Sequence, residues 1–310
     1  MTRETKDHVD ALLGGLSGVL LGKEEQIKLA LTCVLARGHL LIEDLPGMGK
    51  TLLSHALARV LGLTYQRIQF TSDVLPSDII GTSVFVRDTG EFRFIEGPLF
   101  TQVVLADEIN RATPKSQSAL LEAMEERQVS VDGETRRLPE PFFVIATQNP
   151  ATQAGTFPLP ESQLDRFLMR IELGYPDPDA ERELLRGGDR RNSLEAVEPV
   201  LGVESLQGLQ AAVEQVKVSE ALIGYVQRLV GHTRRGSEFA FGLSPRGSLA
   251  LLHAARAWAL VHERTHVVPE DVQAVLPAVV EHRLREAADH AGHGGRALAQ
   301  RLLAGVDVVG

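Results

Sequence analysis

The chain has 310 residues, of which 44% are hydrophobic and 24% are charged, the balance of an ordinary globular protein large enough for two domains. The formal net charge of −9 argues against a protein whose main task is to coat nucleic acid. The single cysteine, Cys33, lies in an apolar helical run and is expected to be buried, and one cysteine excludes an intramolecular disulfide and a cysteine-based zinc site. No apolar signal segment begins the chain and no stretch is long enough to span a bilayer, so we expect a cytoplasmic protein without a membrane segment.

The first chemical motif follows a short apolar run, His39 to Ile42, that predicts a buried strand. A glycine-rich turn, Lys50-Thr51 and an apolar helical pattern come after it. This order is typical of a loop that holds a nucleotide's phosphates, because backbone N–H groups and the helix N-terminus face the anion while the lysine reaches the outer phosphates. A threonine hydroxyl at this place can bind Mg²⁺. The predicted nucleotide-binding residues are Pro46, Gly47, Met48, Gly49, Lys50, Thr51 and Leu52.

The loop departs from the general motif G-x-x-x-x-G-K-[ST] at one position. Asp44 stands where that motif has its first glycine. A glycine-rich turn that caps a helix would explain the glycines, but it would not explain Lys50-Thr51. The arrangement of strand, loop and helix therefore favours the phosphate loop.

Three more apolar segments predict strands, at Tyr65 to Phe70, Val103 to Ala106 and Phe142 to Thr147. Helical patterns separate them, which predicts a parallel sheet with helices on both faces. Two other segments alternate in character around a turn that contains glycine. These segments, residues 83–94 and 129–136, predict β-hairpins.

Helical patterns account for much of the remaining chain. One helix is predicted to begin at Thr113-Pro114, with expected buried residues Ala119, Leu120, Ala123 and Met124. Strand signals stop near residue 176, where Asp177-Pro178 begins an acidic helix start, and residues 187–193 form a polar loop. Further helices are predicted at Ser219 to Arg235, Pro245 to His262, Pro269 to Leu284 and Ala297 to Leu303. We therefore expect an α/β core over residues 1–175 and an all-helical domain over residues 176–310.

Polar side chains follow two of the predicted strands. Asp107 and Glu108 come directly after the strand at Val103, and Asn149 comes after the next one. Because the carboxyl ends of parallel strands face the ligand crevice, Asp107 is placed to hold Mg²⁺ through water, Glu108 to polarise an attacking water and Asn149 to orient that water. Taken alone, an Asp-Glu pair is usually a solvated loop start and Asn-Pro a common turn. Their positions downstream of a phosphate loop favour the nucleotide site.

Two arginines have no obvious local role. Arg166 could stabilise the charge that develops on a γ-phosphate bound by a neighbouring subunit, and the alternative is a salt bridge with Asp165 or Glu161. Arg246 lies in the first turn of a predicted helix, where positive charge opposes the helix dipole, and such a departure from a local rule can mark a site. The alternative for Arg246 is a solvated surface arginine.

In this order, the phosphate loop, Asp107-Glu108, Asn149, Arg166 and Arg246 resemble the AAA+ ATPases. The run from Ala106 to Glu126, together with segments 42–47 and 159–167, resembles the MoxR branch of that family. The resemblance implies an α/β fold in which an AAA+ P-loop parallel sheet is sandwiched by helices, with β-hairpin insertions and a C-terminal all-helical lid domain. The hairpins would be a helix-2 insert at about residues 83–97 and a pre-sensor-1 hairpin at about residues 128–140.

The resemblance also implies roles. Glu108 is then the catalytic base, Asn149 sensor 1, Arg166 a trans-acting arginine finger and Arg246 sensor 2, with Thr51 and Asp107 on the metal. It implies ATP hydrolysis with Mg²⁺ and a homo-oligomer, usually a hexameric ring. It further implies a chaperone-like remodelling or maturation factor for a client protein, often one with a von Willebrand factor A domain, and in some cases metal or cofactor insertion.

Other classes of protein share parts of this pattern. A helicase-type nucleic-acid motor and the ATPase subunit of a metal chelatase both resemble the chain in its two hairpins. Arg136 and Arg137 could contact a phosphate backbone, but Glu134 and Glu140 are nearby partners for them, and the acidic total argues against nucleic acid as a partner. A small-molecule P-loop kinase has no evident use for Arg166 or for a helical lid.

Overall fold

The centre of the molecule is a parallel β-sheet. The computed structural model describes residues 2–149, 155–186, 194, 197–287 and 295–309. In chain order the strands are β1 (Leu40–Glu43), β2 (Tyr65–Gln69), β3 (Gly81–Val86), β4 (Glu91–Glu96), β5 (Val103–Asp107), β6 (Gln128–Val131), β7 (Glu134–Arg137), β8 (Phe143–Gln148) and β9 (Met169–Ile171). Five of these form the sheet in the order β2-β5-β8-β1-β9, and every pairing in it is parallel. This confirms the predicted sheet.

Helices cover both faces of the sheet. In chain order, the helices of the described residues are α1 (Arg3–Ser17), α2 (Glu24–Leu35), α3 (Lys50–Val60), α4 (Pro76–Ile80), α5 (Pro114–Glu126), α6 (Glu161–Leu164), α7 (Pro178–Arg186), α8 (Val203–Glu214), α9 (Glu220–Arg235), α10 (Pro245–Val261), α11 (Pro269–Val280) and α12 (Gly295–Ala304). Successive side chains of a strand point to opposite faces. Accordingly Leu40 and Ile42 join a buried cluster with α1, α2, α3 and the C-terminal helices, whereas Leu41 joins a second cluster with α4 and α5.

The first of these clusters crosses the predicted domain boundary. Cys33 on α2 and Leu251 on α10 belong to it, and both are fully buried. Burial also raises the pKa of the Cys33 thiol. The division into a core and a lid at residue 176 therefore stays a prediction, since the two parts share one apolar interior. No helix in the described part of the chain is both long and apolar enough to cross a membrane.

The two predicted hairpins are present. Strands β3 and β4 pair in antiparallel fashion, as do β6 and β7. The second hairpin turns at Asp132 and Gly133, which have φ values of 53° and 81°, the left-handed pair that an Asp-Gly turn supplies. Arg136 pairs with Glu134 and lies 4.1 Å from the ring centroid of Phe94 on the first hairpin. The predicted Glu134 pairing is thereby confirmed for Arg136.

The helix at Thr113 is close to its prediction. Thr113 occupies the N-cap position of α5, and its hydroxyl accepts no hydrogen bond from the helix amides. Leu120, Ala123 and Met124 are buried as expected, but Ala119 is only half-buried and Leu121 takes its place on the buried face. The buried face of α5 belongs to one apolar cluster with Ile79 of α4 and Leu41 of the sheet.

Two of the C-terminal helices differ from what the sequence predicts. The helix that begins at Pro269 ends at Val280, not at Leu284 as predicted. The residues after it turn toward the segment between α6 and β9: His282 contacts the Phe167 carbonyl at 3.0 Å, and Arg283 donates to Asp165 at 2.7 Å. Helix α8 was not predicted, and the predicted loop at residues 187–193 lies outside the described residues.

Candidate nucleotide site

The phosphate loop joins the carboxyl end of β1 to the amino end of α3. Gly47 and Gly49 have φ values of +86° and +93°, in the left-handed region that glycine adopts without strain. A Cβ at either position would meet no atom within 4 Å, so backbone conformation is what requires glycine here. Gly49 directly precedes α3, and the first amide groups of that helix face the loop.

The side chain of Lys50 folds back over the loop. It is 8% exposed, and its ammonium donates to the carbonyl oxygens of Asp44 and Leu45 and to Asn149 Oδ1, the last at 3.1 Å. Burial lowers the pKa of Lys50, while Asp44 and the acids at the end of β5 oppose that change. The Lys50 ammonium therefore donates to protein oxygens, and the oxygens of a bound phosphate would take their place as acceptors.

Asp107, the last residue of β5, is fixed by two partners. Its Oδ2 accepts from Arg67 of β2 at 2.6 Å, and its Oδ1 accepts from the Thr147 hydroxyl of β8 at 2.6 Å. The same hydroxyl accepts from the backbone N–H of Glu108 at 2.9 Å. Thr147 is fully buried and joins the two acids across neighbouring strands.

Glu108 has a strained backbone and a well-held carboxylate. Its φ of 56° lies in the left-handed region, which a non-glycine residue seldom adopts away from functional turns. Its Oε1 accepts from Asn149 Nδ2 at 2.9 Å. Its Oε2 pairs with Arg111 at 3.2 Å and accepts from Gln69 at 3.3 Å.

Asn149 therefore connects the phosphate loop to the carboxylate of Glu108. Its side-chain oxygen accepts from Lys50, its side-chain nitrogen donates to Glu108, and it is 3% exposed. Residues from the ends of β1, β5 and β8 thus meet at one edge of the sheet, as the sequence predicted.

The two predicted arginines meet elsewhere. Arg166 donates to Glu125 Oε2 at 2.7 Å, and Arg246 donates to Glu125 Oε1 at 2.6 Å. Both line a cavity of about 460 Å³ together with Gly38 and His39, which precede β1. The phosphate loop follows β1, so the arginines lie at the opposite edge of the sheet from Lys50.

The expected local partners of Arg166 are engaged with other residues. Asp165 pairs with Arg283, and Glu161 pairs with Arg285. The alternative that Arg166 pairs with Asp165 or Glu161 is therefore wrong. The hydrogen bond from Arg246, followed by that from Arg166, lowers the pKa of Glu125 against the opposing effect of burial.

Four residues of these two sites were missed in the sequence: Arg67, Gln69, Glu125 and Thr147. Arg67 and Gln69 alternate along β2, an edge strand whose polar side chains are exposed except where they reach β5. Thr147 lies two residues before Asn149 on β8, after four apolar residues. A hydroxyl at that place in a buried strand was the one signal of its role that the sequence offered.

The residues present fit a magnesium ion bound with a nucleotide. Thr51 is exposed at the start of α3, and Asp107 already holds a cation, the Arg67 guanidinium. A hydroxyl, one carboxylate, phosphate oxygens and water are the hard oxygen ligands that Mg²⁺ prefers. Arg67 would have to leave Asp107, or water would have to bridge the carboxylate to the ion.

Comparison with known proteins gives matches along most of the chain. The model for the "ATPase family associated with various cellular activities (AAA)" matches residues 39–169, and that for the AAA lid domain matches residues 231–301. The uncharacterized protein YeaC of Bacillus subtilis is 44% identical over 295 residues, which cover 94% of this chain and 92% of that protein. Chaperone MoxR1 of Mycobacterium tuberculosis is 44% identical over 276 residues, or 86% and 72% of the two chains. The crystal structure of a candidate ATPase from Cytophaga hutchinsonii superposes with a TM-score of 0.86 at 34% identity, covering 98% of this chain and 96% of that one.

Proposed function

Since this chain belongs to the MoxR family of AAA ATPases, we propose that it binds and hydrolyses ATP with Mg²⁺ and uses the energy to remodel or mature a partner protein in the cytoplasm. The working form would be a homo-oligomer, most simply a hexameric ring. A protein with a von Willebrand factor A domain is the partner that the family resemblance suggests. The relative named as a chaperone supports the remodelling role.

One observation carries the proposal of hydrolysis. Asn149 joins the Lys50 ammonium at 3.1 Å to the Glu108 carboxylate at 2.9 Å. A lysine that reaches phosphates and a carboxylate that can accept a proton from water are thereby held on either side of one amide. Phosphoryl transfer needs this arrangement, because positioning and charge stabilisation supply most of the catalysis.

The side chains have separate tasks in this proposal. Lys50 would leave the carbonyls of Asp44 and Leu45 and bind the outer phosphates. Glu108 would accept the proton of the attacking water, and the Asn149 amide would orient that water. When bound with the nucleotide, Mg²⁺ would neutralise charge that develops on the phosphates, and Thr51 and Asp107 would hold it.

The two arginines would act on the nucleotide of a neighbouring copy. They lie at the amino edge of the sheet, separated from their own phosphate loop by the four residues of β1, or about 13 Å. The charged side chains that line their cavity are Arg37, Glu125, Arg127, Asp165, Arg166, Arg246 and Arg283. This excess of positive charge suits a phosphate chain presented by another subunit. Arg246 would then serve in trans, as Arg166 would.

Paired variants at the loop and at the carboxylate test this function. Lys50→Ala should lose ATP binding, measured with a fluorescent ATP analogue. Glu108→Gln should bind with near-normal affinity but hydrolyse at least about a hundredfold more slowly, because the base is lost. Glu122→Gln, on the exposed side of α5, is the matched control and should behave as wild type. Normal binding by Lys50→Ala, or near-normal turnover by Glu108→Gln, would contradict the assignment.

A further inference from the structure

Asp44, the residue that departs from the general phosphate-loop motif, is bonded at both of its carboxylate oxygens. Oδ1 accepts from the Leu45 N–H at 2.7 Å, within the loop. Oδ2 accepts from the Gly174 N–H at 2.6 Å, at the junction between the predicted core and lid. A glycine at position 44 could make neither bond. The side chain thus ties the start of the phosphate loop to a segment 130 residues later.

The segment at Gly174 is held from its other side by Lys23. Lys23 is 7% exposed, and its ammonium donates to the carbonyl oxygens of Leu173, Gly174 and Tyr175 at 2.8, 3.0 and 2.6 Å. A buried ammonium that satisfies three carbonyls fixes that segment firmly. The segment around Gly174 is therefore held from two sides. Its carbonyl oxygens accept from Lys23, the N-cap residue of α2, and the Gly174 N–H donates to Asp44 of the phosphate loop.

The backbone of Asp44 is connected to the phosphate lysine. Its carbonyl oxygen accepts from the Lys50 ammonium, as does the next carbonyl at 3.3 Å. If Lys50 moves to bound phosphates, this carbonyl loses its partner, and negative charge arrives beside the Asp44 carboxylate. The loop backbone at Asp44 is then no longer held by the lysine, and repulsion between the phosphates and the Asp44 carboxylate favours a shift of Oδ2 away from the Gly174 N–H.

We propose that Asp44 is a positioning residue that links occupancy of the phosphate loop to the linker at Leu173–Tyr175, and through it to the position of the helical lid. The inference rests on the proposed function, since it takes ATP as the ligand of the loop. A nucleotide would loosen the bond between Asp44 and Gly174 and release the lid from its empty-site position.

Hydrogen exchange at the Gly174 amide tests the link directly, because that N–H is the donor. In the wild-type chain, a non-hydrolysable ATP analogue with Mg²⁺ should speed exchange at Gly174 severalfold. In Asp44→Gly, exchange should be fast with and without the analogue. Analogue affinity should stay within about threefold of wild type, since glycine is the residue of the general motif.

Two further variants keep the test decisive. Asp88→Gly removes an exposed carboxylate from the β3–β4 turn and should respond to the analogue as wild type does. Asp44→Asn keeps one acceptor oxygen, should show a reduced response, and replaces Asp44→Gly if the glycine variant does not fold. Unchanged or slower exchange in the wild type, or a wild-type response in Asp44→Gly or Asp44→Asn, would overturn this inference alone. Failure of the wild type to bind the analogue would overturn the proposed function as well.

Discussion

At the scale of single residues, Thr147 is the most informative side chain of the site. Its hydroxyl donates to Asp107 and accepts from the Glu108 N–H, so one oxygen positions both acids. The left-handed backbone of Glu108 depends on such support, since strained residues persist only where their surroundings fix them.

Thr147→Val should therefore destabilise the fold and slow turnover together. Valine has the same shape, but it leaves the Glu108 N–H without a partner in a partly buried place, which costs about 1–3 kcal/mol. Urea unfolding measures the stability, and kcat for ATP hydrolysis measures the effect on the carboxylates. Thr82→Val, on the exposed side of β3, is the control. An unchanged kcat with reduced stability would show that the hydroxyl supports the fold but not the carboxylates.

His39 makes stability depend on pH. The ring is fully buried, and burial lowers its pKa from the ordinary value of 6.5 to about 4, against the effect of the Met124 carbonyl. Nδ1 accepts from the Val144 N–H at 3.0 Å, so the neutral ring is the one that fits. Above pH 6.5 neither the folded nor the unfolded state binds the proton. Between pH 6.5 and 4 only the unfolded state does, and stability falls as the pH falls.

From pH 6.5 to pH 5 this effect amounts to ~2 kcal/mol. The free energy of unfolding should be measured over that range for the wild type and for His39→Asn, whose amide oxygen can still accept from Val144. The variant should show a smaller slope. It should retain some slope, because burial also lowers the pKa of His282 well below its usual range. Equal slopes in the two proteins would contradict the role of His39.

At the scale of elements, a buried ion network joins β1, β9 and the end of α11. Arg170 on β9 has a side chain only 5% exposed, and it contacts Glu43 at 2.9 Å and Glu281 at 3.6 Å. Glu43 also accepts from Gln148 of β8 at 2.9 Å. These contacts connect the strand before the phosphate loop to the last turn of a lid helix.

Arg170→Met should cost about 3 kcal/mol, because it leaves buried carboxylates without their cation. Arg182→Met is the matched control. Arg182 pairs with Asp179 in an exposed place, and its loss should change stability by less than about 0.5 kcal/mol. Thermal unfolding of both variants checks the difference. Equal effects would mean that the Arg170 network adds no more than a surface pair.

The strands of the sheet show what sequence patterns could and could not predict. The strands β1, β5 and β8 were predicted because their apolar runs are buried on both faces. β9 was missed because it has three residues with an arginine in the middle, and only the distant Glu43 and Glu281 make that arginine acceptable inside.

The residues of the candidate site also fall into a predicted group and a missed group. Lys50, Glu108 and Asn149 were predicted because each follows a strand, and the ends of parallel strands meet at one edge. The contacts of Arg67, Thr147 and Glu125 depend on strand register and on the packing of the lid. Spacing along the chain carries no signal for either.

At the scale of the whole molecule, the predicted site residues lie in two separate places. Lys50 and Glu108 lie at the carboxyl edge of the sheet, while Arg166 and Arg246 share Glu125 at the other edge. A head-to-tail ring brings such different surfaces of neighbouring copies together. The complete site would then form only between subunits.

Mixed assemblies test this geometry. Arg166→Ala alone should hydrolyse ATP on the order of a thousandfold more slowly, and Glu108→Gln alone should also be nearly inactive. In an equimolar mixture, about a quarter of the interfaces pair an intact Glu108 with an intact Arg166 and should regain activity if the arginine acts in trans. Arg246→Ala mixed with Glu108→Gln should recover in the same way, because Arg246 lies beside Arg166.

The control for mixing is Arg166→Ala combined with the double variant Glu108→Gln/Arg166→Ala, in which no interface can hold both groups. That mixture must stay inactive if the recovery comes from complete sites. Recovery with Arg166→Ala but not with Arg246→Ala would place Arg246 outside the shared site, despite its bond to Glu125. No recovery with either arginine, under conditions where subunits exchange, would mean that each chain completes its own site, and the lid would then have to swing Arg246 from one edge of the sheet to the other.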